Sequence, residues 1–108
     1  MPDKPIYDLI RLAILARRPI LATYRGRLRL MCPHVLGLKG NRVHCLFYQF
    51  GGSSRSGLGA EGSWRCIAVD ELADVSIEEN QWHTATDYGL DSQTCVDQVD
   101  IAVRLTEG

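Results

Sequence analysis

Ile6, Leu9, Ile10, Ala13 and Ile14 recur at the spacing of one face of a helix, and Asp8, Arg11, Arg17 and Arg18 fall mostly off that face. Asp3 suits the N-cap and Pro5 is tolerated in the first turn. The basic pair Arg17-Arg18 favours the C-terminal end of the helix dipole, and Pro19 stops propagation. The pattern predicts a helix over Lys4–Arg17. After Pro19 the period falls from about 3.6 residues to 2, the signature of strands. Ile20–Arg25 reads as a short strand, Arg25-Gly26 as a turn, and Arg27–Val35 as a strand whose first residues alternate arginine with leucine. Leu38-Lys39-Gly40-Asn41 turns the chain into Arg42–Phe50, the most strand-like run present. Trp64–Val69 and Asp74–Glu78 are further strands about an Asp70–Ala73 turn, and Val96–Leu105 supplies a last one. Gly51–Ser63 is a loop rich in Gly and Ser, readable as a ligand lid or as a plain long hairpin connection.

One amphipathic helix followed by short strands on tight turns predicts an α+β fold, mainly β: a strongly bent antiparallel sheet or small barrel. The 108 residues suffice for one domain, with the helix at 4–17, the barrel core at about 19–78 and a C-terminal extension at 79–108. A chain of this length buries roughly two-thirds of its unfolded surface, so it needs no staples. No run approaches the roughly 20 apolar residues that span a bilayer. The N-terminus lacks the layout of a signal peptide. The expectation is therefore a cytoplasmic protein with no membrane partner. In that reducing compartment Cys32, Cys45, Cys66 and Cys95 are expected as free, buried strand thiols.

Charge changes the picture more than composition does. Met1–Arg55 carries ten Lys/Arg against two acids, a net +8, whereas Ser56–Gly108 carries two Arg against eleven acids, a net −9. Either the basic half presents a surface to an anionic partner, or the halves neutralise one another within the fold or across a homo-oligomer. The anionic-partner reading centres on Arg25, Arg27, Arg29, Arg42 and Arg65, with Tyr48 nearby. Arg27 and Arg29 share one strand face and are both expected to be exposed. Guanidinium groups match phosphate oxygens bidentately, and a basic strand face with an aromatic binds single strands by backbone neutralisation and base stacking. Solvated or internally paired charge on a strand edge is the plainer alternative.

Several of these residues carry a resemblance. The helix ending Ala16-Arg17-Arg18, then Tyr24-Arg25-Gly26, then Pro33-x-x-Leu36-Gly37-Leu38-Lys39-Gly40-Asn41-Arg42, resembles the opening of a WYL domain. Trp64-Arg65-Cys66-Ile67-Ala68-Val69-Asp70-Glu71-Leu72-Ala73-Asp74-Val75 resembles the family's closing strand and turn. The similarity runs from about Ile6 to Ile77. It implies an Sm-like barrel and a ligand-sensing module of bacterial transcription regulators that recognises an anionic ligand, often nucleic acid, through basic side chains. The triplet that names the family aligns here with Val43-His44-Cys45, and of the closing strand's arginines only Arg65 is kept. With no room for a helix-turn-helix before Lys4, the expectation is a stand-alone, divergent member.

Two other chemistries compete with this reading. A turn centred on Lys39-Gly40 sets His34 opposite Cys45, with Cys32 on the same face and Cys66 able to approach from another strand; thiolates and imidazole suit tetrahedral zinc. Such ligands usually sit on tight knuckles, so metal is a minor alternative and no cofactor is expected. For catalysis, a thiol nucleophile needs an adjacent base and an orienting group. His44 and Cys45 point to opposite faces, and His83, Asp87 and Cys95 meet only by tertiary accident. The protein is expected not to be an enzyme.

Overall fold

The computed structural model describes residues 4–52, 62–79, 81–85, 87–89 and 92–103. Helix α1 spans Lys4–Ala16, and Ile10, Ala13 and Ile14 of its predicted stripe are buried. Its end is a Schellman motif: Arg18 N–H donates to Ala13 O at 2.9 Å and Arg17 N–H to Ile14 O at 3.2 Å. Arg17 therefore takes the left-handed conformation, φ 55°, that glycine adopts without steric cost. Arg17→Gly is expected to raise stability by up to about 1 kcal/mol, read as a higher urea midpoint. The Asp3 cap and the 53–61 stretch of the expected loop lie outside the described residues.

Six strands follow: β1 Ile20–Tyr24, β2 Arg27–Lys39, β3 Arg42–Gly52, β4 Ser63–Ala68, β5 Leu72–Ile77 and β6 Gln98–Ala102. They form one antiparallel sheet in the order β4-β3-β2-β1-β5, and β6 joins β2 beyond β1, pairing along Val35–Leu38. The fold is thus α+β, mainly β, as the pattern predicts. β4 and β5 are opposite edges of that path, about 19 Å apart in a flat sheet. Only a 3₁₀ turn, Val69–Glu71, links Ala68 to Leu72, a span of at most about 14 Å. The sheet must therefore roll until its edge strands approach each other, making a barrel-like body with α1 packed on β2 and β5.

Inside the roll lie Ile20, Ala22, Met31, Leu36, Cys45, Phe47 and Ile67, with Ile10, Ala13 and Ile14 from α1. Full burial of side chains such as Ile10 or Phe47 contributes roughly 1.5–3 kcal/mol each. The outer face of β2–β4 is covered by the irregular chain between β5 and β6, where Val35, Cys95 and Val96 make a second small cluster. That cover is anchored by a Cys66–Cys95 disulfide, Cα–Cα 5.6 Å. The expectation of four free thiols is corrected accordingly: only Cys32 and Cys45 are free, both buried. Among the described residues, no helix is long and apolar enough to cross a membrane.

Candidate anion-binding site

The two hairpin turns set which side chains meet. Tyr24 and Arg27 close a two-residue β1–β2 turn in which Arg25 (φ 54°) and Gly26 (φ 76°) are both left-handed, as a type I′ turn requires. Arg25 holds a position that asparagine or glycine takes more readily. The β2–β3 turn is Gly40-Asn41, one residue later than expected, because the positive φ (63°) falls on Gly40 as the first central residue. Cys45 consequently faces Leu36, not His34. A bulge between Pro33 and Val35 then turns the His34 ring onto the outer face.

On the inner face the apolar core gives way to polar groups at one end. Arg27 and Arg29 continue the face that Met31 lines, Gln49 continues that of Cys45 and Phe47, and Ser63 and Arg65 that of Ile67. Arg29 is only 9% exposed, which corrects the expectation that both β2 arginines are exposed; Arg27 is. Arg29 Nη1 donates to Gln49 Oε1 at 3.3 Å, and Arg65 Nε donates to the same oxygen at 3.1 Å. Arg29 Nη2 reaches Tyr24 O at 3.4 Å. The guanidinium carbons of Arg25 and Arg29 lie 5.1 and 5.2 Å from the Tyr24 ring centroid, within cation–π range. Arg29 Nε and Ser63 Oγ are buried without a hydrogen-bond partner.

Electrostatics single out this end. Burial first, then the like charges of Arg65, Arg27 and Arg25, pull the Arg29 guanidinium below its usual value. Other basic residues are neutralised across the two halves: Arg42 contacts Asp70 at 2.8 Å and Glu71 at 3.1 Å, Arg11 contacts Asp100 at 3.5 Å, and Arg18 contacts Glu79 at 3.9 Å. Among the described residues, no carboxylate pairs with Arg25, Arg27, Arg29 or Arg65. The charge asymmetry is cancelled along the helix and the β2–β3 tip and left standing at the other end of β2.

Of the six expected residues, four converge. Arg42 does not, since it sits at the far hairpin tip inside its ion pairs. Tyr48 does not, because it projects from the opposite face of β3 to Gln49, accepts a hydrogen bond from Gly62 N at 3.0 Å, and packs edge-on to Trp64 at 5.0 Å. Tyr24, Gln49 and Ser63 were missed. Gln49 was findable as a polar residue continuing the Cys45–Phe47 alternation, whereas Ser63 carries no sequence signal of its own.

The metal set does not assemble. Cys66 is consumed in the disulfide, Cys45 lies in the core against Leu36, and Cys32 Sγ accepts from His83 N at 3.2 Å. Burial pushes the Cys32 thiol up to about 12 and the Cys45 thiol well above its ordinary value, so neither yields thiolate readily. No group of three His, Cys, Asp or Glu side chains suited to a metal occurs among the described residues. His34, fully buried, instead fills an aromatic cage: Trp64, Trp82 and Tyr88 each lie 4.9 Å from its ring. Its Nδ1–H donates to Cys32 O and its Nε2 accepts from Thr84 Oγ1, both at 2.8 Å. The proton belongs on Nδ1 because a carbonyl can only accept. Of the catalytic trio, His83 stacks on Phe50 at 4.1 Å, Asp87 accepts from Trp64 Nε1 at 2.9 Å, and Cys95 is in the disulfide. Comparison with protein-family models, curated proteins and solved structures finds no match in any of the three.

Proposed function

We propose that this protein is a non-enzymatic, WYL-like ligand-sensing module of the cytoplasm that binds an anionic ligand, the phosphate backbone of single-stranded nucleic acid, at the basic end of its barrel. The observation that carries the reading is Arg29: nine-tenths buried, beside Arg65, with a free Nε donor and no carboxylate among the described residues. A buried cation left uncompensated is costly, and its usual remedy is a paired acid. Among the described residues no acid takes that place, so the missing negative charge is one that a ligand supplies. Phosphate oxygens accept from Arg29 and Arg65 in the charge-assisted geometry that guanidinium favours. Arg25 and Arg27, both exposed, extend positive charge outward from Arg29 and Arg65.

The test is a titration of the protein into labelled single-stranded DNA and RNA by fluorescence anisotropy over a range of salt. Engagement of three or four phosphates predicts a slope of log K against log salt of roughly −2 to −3. Arg25→Glu with Arg27→Glu, both at exposed turn and strand positions, is expected to abolish binding without unfolding. Absence of salt-dependent binding to any oligonucleotide removes the nucleic-acid ligand.

A further inference from the structure

On the opposite side of the sheet, a cleft of about 410 Å³ opens between β4 and residues 87–89 and 92–95. Trp64 and Tyr88, stacked at 5.7 Å, form part of its wall, and the Cys66–Cys95 bridge lies in its lining. The two sulfurs are unequal. Cys66 belongs to a sheet strand and is an exposed residue, whereas Cys95 is 5% exposed and packed with Val35 and Val96. Lys39 also lines the cleft, with its ammonium donating to Thr94 O at 2.9 Å, one residue from Cys95. A cation is thus held on the backbone next to Cys95, the sulfur that departs if the bridge breaks that way. In a reducing compartment, structural disulfides are rare and those that form are usually redox-active.

We infer that this cleft is a thiol–disulfide exchange site for low-molecular-weight thiols, and that exchange at Cys66 releases the 81–95 segment from the sheet. A small thiolate in the cleft attacks the Cys66 sulfur. The new S–S bond forms as the Cys66–Cys95 bond breaks, and Cys95 leaves as a thiolate that takes a proton from water. A second thiolate attacks the small molecule's sulfur in the mixed disulfide, releasing the Cys66 thiolate, which is protonated in turn. Two small thiols have then become one small disulfide, and the protein has gained two thiols. A cleft of a few hundred cubic ångströms suits reagents of that size.

The consequence follows from what holds the segment. Asp97 N is tied to Leu38 O at 2.8 Å, and β6 beyond it stays paired with β2. Upstream, Glu78 N is tied to Pro19 O at 2.9 Å. Between those ends, the disulfide is the one covalent tether among the described residues; the rest is aromatic packing and single hydrogen bonds such as Trp64 to Asp87. Reduction therefore loosens the cover and leaves the barrel standing.

The experiment uses the intact protein under native conditions with reduced glutathione as the thiol. Trapping with iodoacetamide and peptide mass spectrometry is expected to show glutathione on Cys66, then alkylation of Cys66 and Cys95, with Cys32 and Cys45 unlabelled. Hydrogen exchange across 81–95 is expected to rise at least about tenfold while β1–β3 keep their protection. Cys95→Ser, which cannot re-form the bridge, should take one glutathione on Cys66 from oxidised glutathione, with one reduced glutathione released, and lose it again to excess reduced glutathione. A bridge that stays oxidised until urea unfolds the protein overturns the inference. So does reduction that leaves exchange across 81–95 unchanged.

Discussion

Arg29→Met is expected to raise the unfolding free energy by roughly 1–2 kcal/mol while weakening oligonucleotide binding about tenfold or more. The two signs belong together. Among the described residues Arg29 is a buried cation whose charged neighbours are other arginines, so the folded state bears its desolvation without a partner's attraction. Methionine has a similar length, no charge, and a flexible thioether that fills the space against Met31 and Tyr24. Gln49 Oε1 keeps the Arg65 Nε–H as donor, and the other hydrogen bond lost is the long 3.4 Å one to Tyr24 O. Stability therefore rises. Binding falls because one charge-assisted contact to the ligand is gone, and such contacts contribute about 1.5–3 kcal/mol. A side chain that costs stability where it sits and is needed for binding is the mark of a functional position. Urea melts and anisotropy titrations of the two proteins measure both effects. An Arg29→Met protein less stable than the wild type would mean that the guanidinium is a structural strut.

The second large effect concerns pH and belongs to the outer face. Burial holds the His34 pKa down to about 4, against 6.5 for an ordinary imidazole. The sign follows from proton counts. Between these values the unfolded chain binds a proton that the folded one refuses, so stability falls as pH is lowered from about 6.5 toward 4. Above pH 6.5 the contribution is fully present. From pH 7.5 to pH 5 the loss is about 2 kcal/mol. Burial is what refuses the proton: a charged ring here would lose its hydration, and the hydrogen bond to Cys32 O offsets only part of that. His34→Gln removes this titration and is expected to flatten the difference between the two pH values. Urea midpoints of both proteins at each pH give the answer, and an equal loss in both would contradict His34 as its source; Asp70, whose carboxyl Arg42 holds below its usual range, titrates below this window.

Local pattern carried most of the architecture. The stripe Ile6–Ile14 placed α1 to within one residue of its end, because helix faces depend on neighbours three and four apart. Arg27-Leu28-Arg29-Leu30 places the start of β2, but the expected strand stops at Val35 and the expected turn takes in Leu38 and Lys39, whereas β2 runs on to Lys39. Lys39-Gly40 and Gly40-Asn41 are both credible turns, and only the backbone decides between them. The bulge at Pro33–Val35 has no counterpart in hydropathy, yet it alone moves His34 from the face of Cys45 to the aromatic cage. The Cys66–Cys95 bridge was illegible for a related reason: it joins β4 to irregular chain 29 residues on, a distance at which spacing says nothing about pairing. For the candidate site, counting charges identified the basic half of the chain. It could not separate Arg42, answered by Asp70 and Glu71, from Arg29 and Arg65, answered by no acid among the described residues.

The account rests on that unanswered charge, and ligand-linked stability tests it most directly. Inorganic phosphate, or a short oligonucleotide, that binds only the folded state stabilises it by RT ln(1 + [L]/Kd). Phosphate also stabilises proteins generally by exclusion from their surface, so the informative quantity is the difference between wild type and Arg29→Met in thermal melts over the same ligand series. The account predicts a melting temperature that climbs with ligand in the wild type and a markedly shallower climb in Arg29→Met. Parallel curves would contradict it, because the buried guanidinium would then have no part in holding an anion.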